Sequence, residues 1–188
     1  MPTQLTAQCQ FGRYHDIEVE DEASALLNYA NGATGVFVAS TGEAPGFNRL
    51  DIVGDLGTVS YDGQRLLLTR NTPGTAEYSR TTRDMFGMPA SQVEDITPKT
   101  TVNQHGQVIS NFAAAILNGE ELIAPAADGL NSLALANAIL LSSWSNTPVQ
   151  FPFDSAAYQL ALEEKIRTSK PRQKANIKAN VDMDQSYR

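Results

Sequence analysis

The chain has one cysteine, two histidines and no pair of glycines separated by a single residue. Cys9 alone cannot form an internal disulfide, and a thiolate metal cage would need other chains. Its alternation with Leu5, Ala7 and Phe11 marks it as a buried small hydrophobe. His15 and His105 are too far apart in sequence to offer the short ligand spacings of a metal site, and no metal is expected. Without Gly-x-Gly there is no strand-to-helix turn whose backbone N–H groups could hold a pyrophosphate, and Gly42 and Gly46 lack the crossover context. Basic residues are also few: 14 Lys and Arg against 21 Asp and Glu give a formal charge of −7, which opposes binding to nucleic acid. No apolar run approaches bilayer length, and Met1-Pro2-Thr3-Gln4-Leu5 has neither the basic start nor the apolar run of a secretion signal. A soluble, cytoplasmic protein with no membrane contact is expected. Ser40-Thr41-Gly42 lacks the nucleophile-elbow pattern, so nothing supports a Ser-His-Asp hydrolase.

What is present is a relay of strands followed by helices. A hydrophobic content of 41% over 188 residues suffices for one sizeable core, so a single domain is expected. Leu5, Ala7, Cys9 and Phe11 alternate with polar residues, and Ala23, Ala25, Leu27 and Tyr29 repeat that period of two. Asn31-Gly32 then supplies a tight turn. The returning segment, 34–41, is apolar on both sides (Val36 and Val38, Phe37 and Ala39), which predicts a central strand covered on both faces. Leu50 with Ile52, Val59 with Tyr61, and Leu66 with Leu68 continue the meander between turn signals at 54–57 and 62–63. The stretch 71–104, rich in Pro and Gly, reads as an excursion with one or two short strands.

The period then becomes helical. Val108, Ile109, Phe112, Ala113, Ile116 and Leu117 form one stripe, stopped by Gly119. Asp128 is placed to cap a longer helix through about Asn146, whose apolar residues wrap beyond one stripe and predict the most buried helix. Asp154 marks a third N-terminus, with Phe153 and Tyr158 at the spacing of a hydrophobic staple and Glu163 four residues before Arg167. From Ser169 the apolar pattern gives way to a basic tail carrying Lys170, Arg172, Lys174, Lys178 and Arg188.

Three blocks in consistent order carry a resemblance: residues 14–23 (Tyr14-His15-Asp16-Ile17-Glu18-Val19-Glu20-Asp21-Glu22-Ala23), residues 31–58 with Thr41-Gly42 and Gly54-Asp55-Leu56-Gly57, and Asn111-Phe112 with Asn118-Gly119, Asp128-Gly129 and Leu135-Ala136-Asn137-Ala138. Together, across 3–168, they resemble the C-terminal domain of the glucose-fructose oxidoreductase, inositol dehydrogenase and rhizopine-catabolism (Gfo/Idh/MocA) family. That resemblance implies an α+β domain with an open, mainly antiparallel sheet of six to eight strands and helices on one face. It further implies the substrate and oligomerisation half of an NAD- or NADP-dependent oxidoreductase acting on a sugar or cyclitol. The nucleotide would be held by an N-terminal Rossmann half, and the lysine and histidine that serve proton transfer in the family have no match in these residues. No catalytic residue is therefore assigned to this chain, and no cofactor is expected on it alone.

The residues 41–49 pair a Gly- and Pro-containing excursion with Glu43, Asn48 and Arg49, donors and acceptors suited to a hydroxyl-rich ligand, at an edge the resemblance places near substrate. Arg13, Tyr14 and His15 close the first strand and can reach the same end of the sheet, where a histidine can exchange protons. His105, just before a helix, is the remaining candidate. Asp16, Glu18, Glu20, Asp21 and Glu22 read as a solvated acidic face. The doubly apolar strand 34–41 implies a homodimer or tetramer formed through the open sheet face. The alternative is a noncatalytic binding or scaffold module that keeps the sheet and has lost the nucleotide chemistry.

Overall fold

The computed structural model describes residues 1–99 and 103–170, so the basic tail beyond Lys170 lies outside the described residues. In chain order the elements are β1 (Gln4–Phe11), β2 (Glu20–Asn28), β3 (Thr34–Ser40), β4 (Leu50–Gly54), β5 (Gly57–Tyr61), β6 (Leu66–Thr72), α1 (Thr75–Thr81), β7 (Ala90–Asp95), α2 (Gln104–Asn118), α3 (Gly129–Ser145), β8 (Val149–Gln150) and α4 (Ser155–Thr168). The fold is α+β, with eight antiparallel strands among the described residues in two open sheets of four, β3-β2-β1-β8 and β4-β5-β6-β7. The strand count matches the expectation, but the strands are divided between two sheets. Two compact units result, one from Met1–Gly42 with the chain from Ala127 onward, the other from Glu43–Ala126.

In the first unit the period-two pattern sets the register. Leu5 faces Leu27, Ala7 faces Ala25, and Cys9 faces Ala23, so these pairs make one face of β1 and β2 apolar as far as Ala23. Leu5, Ala7, Ala25, Leu27, Ala138 and Val149 form the buried cluster, with Tyr29, Leu135, Ile139, Leu141, Phe151 and Phe153 packed around it. Each large side chain withdrawn from water contributes about 1.5–3 kcal/mol. The β2–β3 connection is longer than a two-residue turn: Gly32 alone has positive φ (84°), and the Gly32 amide donates to the Tyr29 carbonyl while the Tyr29 amide donates to Ala33. Such a loop places a left-handed glycine after a type I turn.

Helix α3 runs against β1 because it supplies what that strand's edge lacks. β8 pairs only with Gln4 and Leu5, which leaves the outward amides of Ala7 and Cys9 unpaired in the sheet. The hydroxyls of Ser142 and Ser143 accept from them at 3.0 and 2.9 Å. α3 is buried at its small residues, Ala138 and Ser142, while Leu130 and Leu133 face solvent. Asp128 occupies the N-cap position but makes no side-chain cap, because a 3-10 turn over Ala126–Asp128 already gives its backbone helical angles. α4 begins as expected: the Asp154 carboxylate accepts from the amides of Ala156 and Ala157, and Phe153 meets Tyr158 with ring centroids 6.1 Å apart. Arg167, however, pairs with Glu164 at 2.6 Å, leaving Glu163 to accept from Gln159.

β3 is an edge strand of its sheet, which corrects the expectation of a central one. Val36 is 74% and Val38 62% exposed, on the face opposite the core.

The second unit is a meander, β4 to β7, whose pairing puts Leu50, Ile52, Val59, Tyr61, Leu66 and Leu68 on one face. The 71–104 stretch is more regular than its composition suggests, holding α1 and β7. Gly74, at the N-cap of α1, has no side chain to cap with, and Asp55 of the β4–β5 turn accepts from the Ala76 amide at 2.6 Å in its place. α2 ends as expected, with Gly119 closing it at φ 72°, and begins at a cap that the sequence reading did not name, Asn103, whose side chain accepts from the Gly106 amide. None of the buried apolar side chains among the described residues belongs to this unit. No helix among the described residues is long and apolar enough to cross a membrane.

Candidate functional site

The β1–β2 connection folds back on itself at Gly12, whose φ of 62° suits glycine and where a Cβ would lie 2.3 Å from the Ile17 carbonyl oxygen. The returning strand carries Asp21 into the interior, its side chain fully buried. One carboxylate oxygen, Oδ2, accepts from the amides of Tyr14 (2.7 Å) and His15 (3.1 Å) and lies 3.5 Å from His15 Nδ1. The other, Oδ1, has no partner among the described residues. Burial alone pushes this carboxyl up, but the amides of Tyr14, Arg13 and His15 and the His15 ring outweigh it and hold it below the ordinary carboxylate range. Asp21 is thus the exception in the expected solvated acidic face.

Thr41, just past β3, completes the group. Its amide and its hydroxyl both donate to the Asp21 carbonyl, at 3.0 and 3.2 Å, and the hydroxyl lies 3.4 Å from His15 Nδ1. Outside this inner layer the Tyr14 hydroxyl donates to Glu22 at 2.7 Å, Arg13 reaches the same carboxylate at 3.4 Å, and the Arg13 guanidinium sits 5.3 Å from the Tyr14 ring centre. The hydrogen bond to Glu22 raises the Tyr14 phenol, with burial adding to it. Gly42 lies under the Tyr14 ring, where a Cβ would come within 2.3 Å. Farther along the same loop Glu18 accepts from the Ser169 hydroxyl and from the Lys170 amide, tying the end of α4 to it.

The candidates from sequence therefore fall into two sets. Arg13 and His15 join Asp21, Glu22 and Thr41 in the first unit. Glu43, Asn48, Arg49 and His105 belong to the second, where Glu43, Asn48 and His105 are exposed and His105 lies within the first turn of α2. Arg49 pairs with Asp51 at 2.6 Å on the rim of a shallow cleft of about 310 Å³, lined by Arg49, Ser60, Tyr61, Asp62, Arg65 and Leu67. The Ser60 hydroxyl and then Arg49 hold Asp51 below the ordinary range, and the Arg65 and Gln64 amides do the same for Asp62, which also pairs with Arg65. Both guanidiniums are matched by carboxylates, so neither stands as an uncompensated positive charge.

Sequence reading missed Asp21, Ser60 and Arg65 as members of these groups. For Asp21 the signal was available: the alternation of Ala23, Ala25 and Leu27, extended one step back, puts residue 21 on the buried face. For Ser60 strand register, and for Arg65 the β5–β6 turn that binds it to Asp62, bring the side chains to one cleft.

The architecture does not fit a dinucleotide. All strand pairings among the described residues are antiparallel, so there is no parallel strand–turn–helix unit at whose helix N-terminus a pyrophosphate could sit. Nor do three His, Cys, Asp or Glu side chains converge as metal ligands among the described residues.

Among curated proteins none matches the chain. Solved structures do. An oxidoreductase domain protein from Kribbella flavida is similar at a TM-score of 0.61 and 18% identity, over 79% of this chain and 44% of that one. The aldose-aldose oxidoreductase from Caulobacter crescentus, complexed with glycerol, is similar at 0.57 and 24%, over 80% and 41%. The WlbA dehydrogenase from Bordetella pertussis, in complex with NADH and UDP-GlcNAcA, is similar at 0.56 and 20%, over 81% and 40%. At these identities the likeness is one of fold, and the chain spans less than half the length of each structure. Finally, the sequence model described as "Oxidoreductase family, C-terminal alpha/beta domain" matches residues 2–151, and with that match this chain belongs to the Gfo/Idh/MocA oxidoreductases, as an example of their C-terminal domain.

Proposed function

We propose that the chain is the substrate-binding and self-association half of an NAD- or NADP-dependent oxidoreductase acting on a sugar or cyclitol. The observation that carries this reading is the family match over 2–151. The dinucleotide is held by residues outside this sequence, because the antiparallel sheets here offer no pyrophosphate cradle. The substrate edge is the group around His15, Arg13 and Thr41, rich in donors and acceptors at hydroxyl spacing. Self-association is supported by the exposed apolar residues Leu26, Val36 and Val38 on the sheet face opposite the core. As in most soluble oligomers, a closed homodimer or a tetramer built from it is the expected state. Titration calorimetry with a panel of sugars and cyclitols, beside a fluorescence titration with NADH, tests the assignment. Saturable binding of a polyol without saturable NADH binding is the expected result. Tight NADH binding by this chain alone, with no polyol bound, would overturn it.

A further inference from the structure

His15 has its Nδ1 beside a carboxylate oxygen that can only accept and a hydroxyl whose proton is directed elsewhere. Asp21 Oδ2, at 3.5 Å, belongs to an ionised carboxylate, which has no proton to give. Thr41 Oγ1, at 3.4 Å, directs its one proton to the Asp21 carbonyl. A bare Nδ1 lone pair would face a buried negative charge across that distance, in an interior where repulsion is poorly screened. The proton of the neutral ring must therefore sit on Nδ1, the reverse of the preference of a free histidine side chain. The backbone that carries the ring is held as well, because the His15 amide donates to the same carboxylate oxygen. With the side chain 46% exposed, Nε2 is the nitrogen left for a visitor.

We infer that Asp21 and Thr41 hold neutral His15 as the Nδ1–H tautomer, so that its unprotonated Nε2 accepts a hydrogen bond from a ligand hydroxyl. Asp21 is then a positioning residue, acting through His15. The ligand class is a polyhydroxylated small molecule, since a bare Nε2 on a half-exposed ring is an acceptor for the O–H of a C–OH group. This ligand assignment rests on the substrate-edge reading above; the tautomer does not.

The test is a long-range 1H–15N spectrum of the full chain labelled with 15N-histidine, recorded at about pH 8, above the ordinary imidazole range. His105→Gln leaves the His15 signals alone in the spectrum. The expected pattern is a protonated Nδ1 and a bare Nε2, and addition of myo-inositol as probe shifts the Nε2 resonance saturably. Asp21→Asn, checked for an unchanged fold by its amide spectrum, shifts His15 toward the Nε2–H form, and Thr41→Val, which removes the second oxygen beside Nδ1, shifts it the same way by less. A wild-type spectrum showing Nε2–H overturns the inference without touching the substrate-edge reading, and needs no variant in the His15 loop to fold. An Nδ1–H spectrum whose Nε2 ignores myo-inositol, glucose and glycerol overturns the ligand role and the substrate-edge reading together.

Discussion

The Ser142 hydroxyl on α3 accepts from the Ala7 amide on β1 at 3.0 Å and donates to the Thr147 carbonyl at 2.7 Å, so one side chain closes the open edge of a strand and the end of its own helix. Both Ser142 and the Ala7 side chain are buried, and no water is at hand to replace the hydroxyl. Ser142→Ala leaves a buried N–H and a carbonyl unsatisfied and is expected to destabilise the fold by about 1–3 kcal/mol. Urea unfolding would show this as a lower midpoint at unchanged slope. A wild-type midpoint would mean that the α3–β1 contact rests on packing alone.

Leu5 is fully buried at the centre of the small core, facing Leu27 across the ladder. Leu5→Ala is expected to cost about 2–5 kcal/mol, since little around it can collapse into the space. The same truncation at Leu26, 59% exposed on the other face of β2, should change monomer stability by less than about 0.5 kcal/mol. Equal losses at the two positions would contradict the assignment of faces.

Asp21, Asp51, Asp62 and Asp95 all have carboxyls held below their ordinary range. A carboxyl depressed in the folded state contributes stability above its unfolded pKa of about 4, and that contribution is lost as pH falls through the folded value. Stability should be level above about pH 5 and decline below about pH 4. Asp21→Asn should flatten part of this acid limb, measured as urea midpoint against pH. An acid limb as steep as that of the wild type would show that Asp21 is ordinary in the folded chain.

Gly42 permits the Tyr14 ring to lie against the chain just after β3. Gly42→Ala drives a Cβ into that ring and should cost about 1–3 kcal/mol as the ring and its bond to Glu22 are displaced. In the background of Tyr14→Ala the same substitution should cost almost nothing. Additive losses in that double-mutant cycle would place the strain elsewhere.

Val36 lies on the outer face of an edge strand, so its exchange for lysine adds charge where a second copy would dock. Wild-type chain is expected to sediment as a dimer or larger at micromolar concentration, and Val36→Lys to shift it toward monomer with unchanged circular dichroism. A wild-type monomer would remove the self-association role from the proposed function.

Much of the fold was legible because its signals are local. The alternation of Leu5, Ala7 and Cys9, the left-handed Gly119, and the carboxylate of Asp154 ahead of two free amides each depend on neighbours within one or two turns. The helix α1 was missed because its cap comes from Asp55, in a hairpin distant in sequence. The central position expected for β3 failed for a related reason: two apolar faces say that a strand is covered, and do not say by which neighbour.

Sequence by itself therefore determined most of the strands, the C-terminal end of α2, the N-terminal cap of α4 and the family, since each is written in residue type at short spacing. Tertiary structure alone decided that the buried Asp21 takes up the amides of Tyr14 and His15 and that Thr41, just past β3, meets His15 there. A hydrogen-bond donor and its acceptor are chosen by distance in space, and the tautomer of one ring depends on oxygens that the chain brings together only after it has folded.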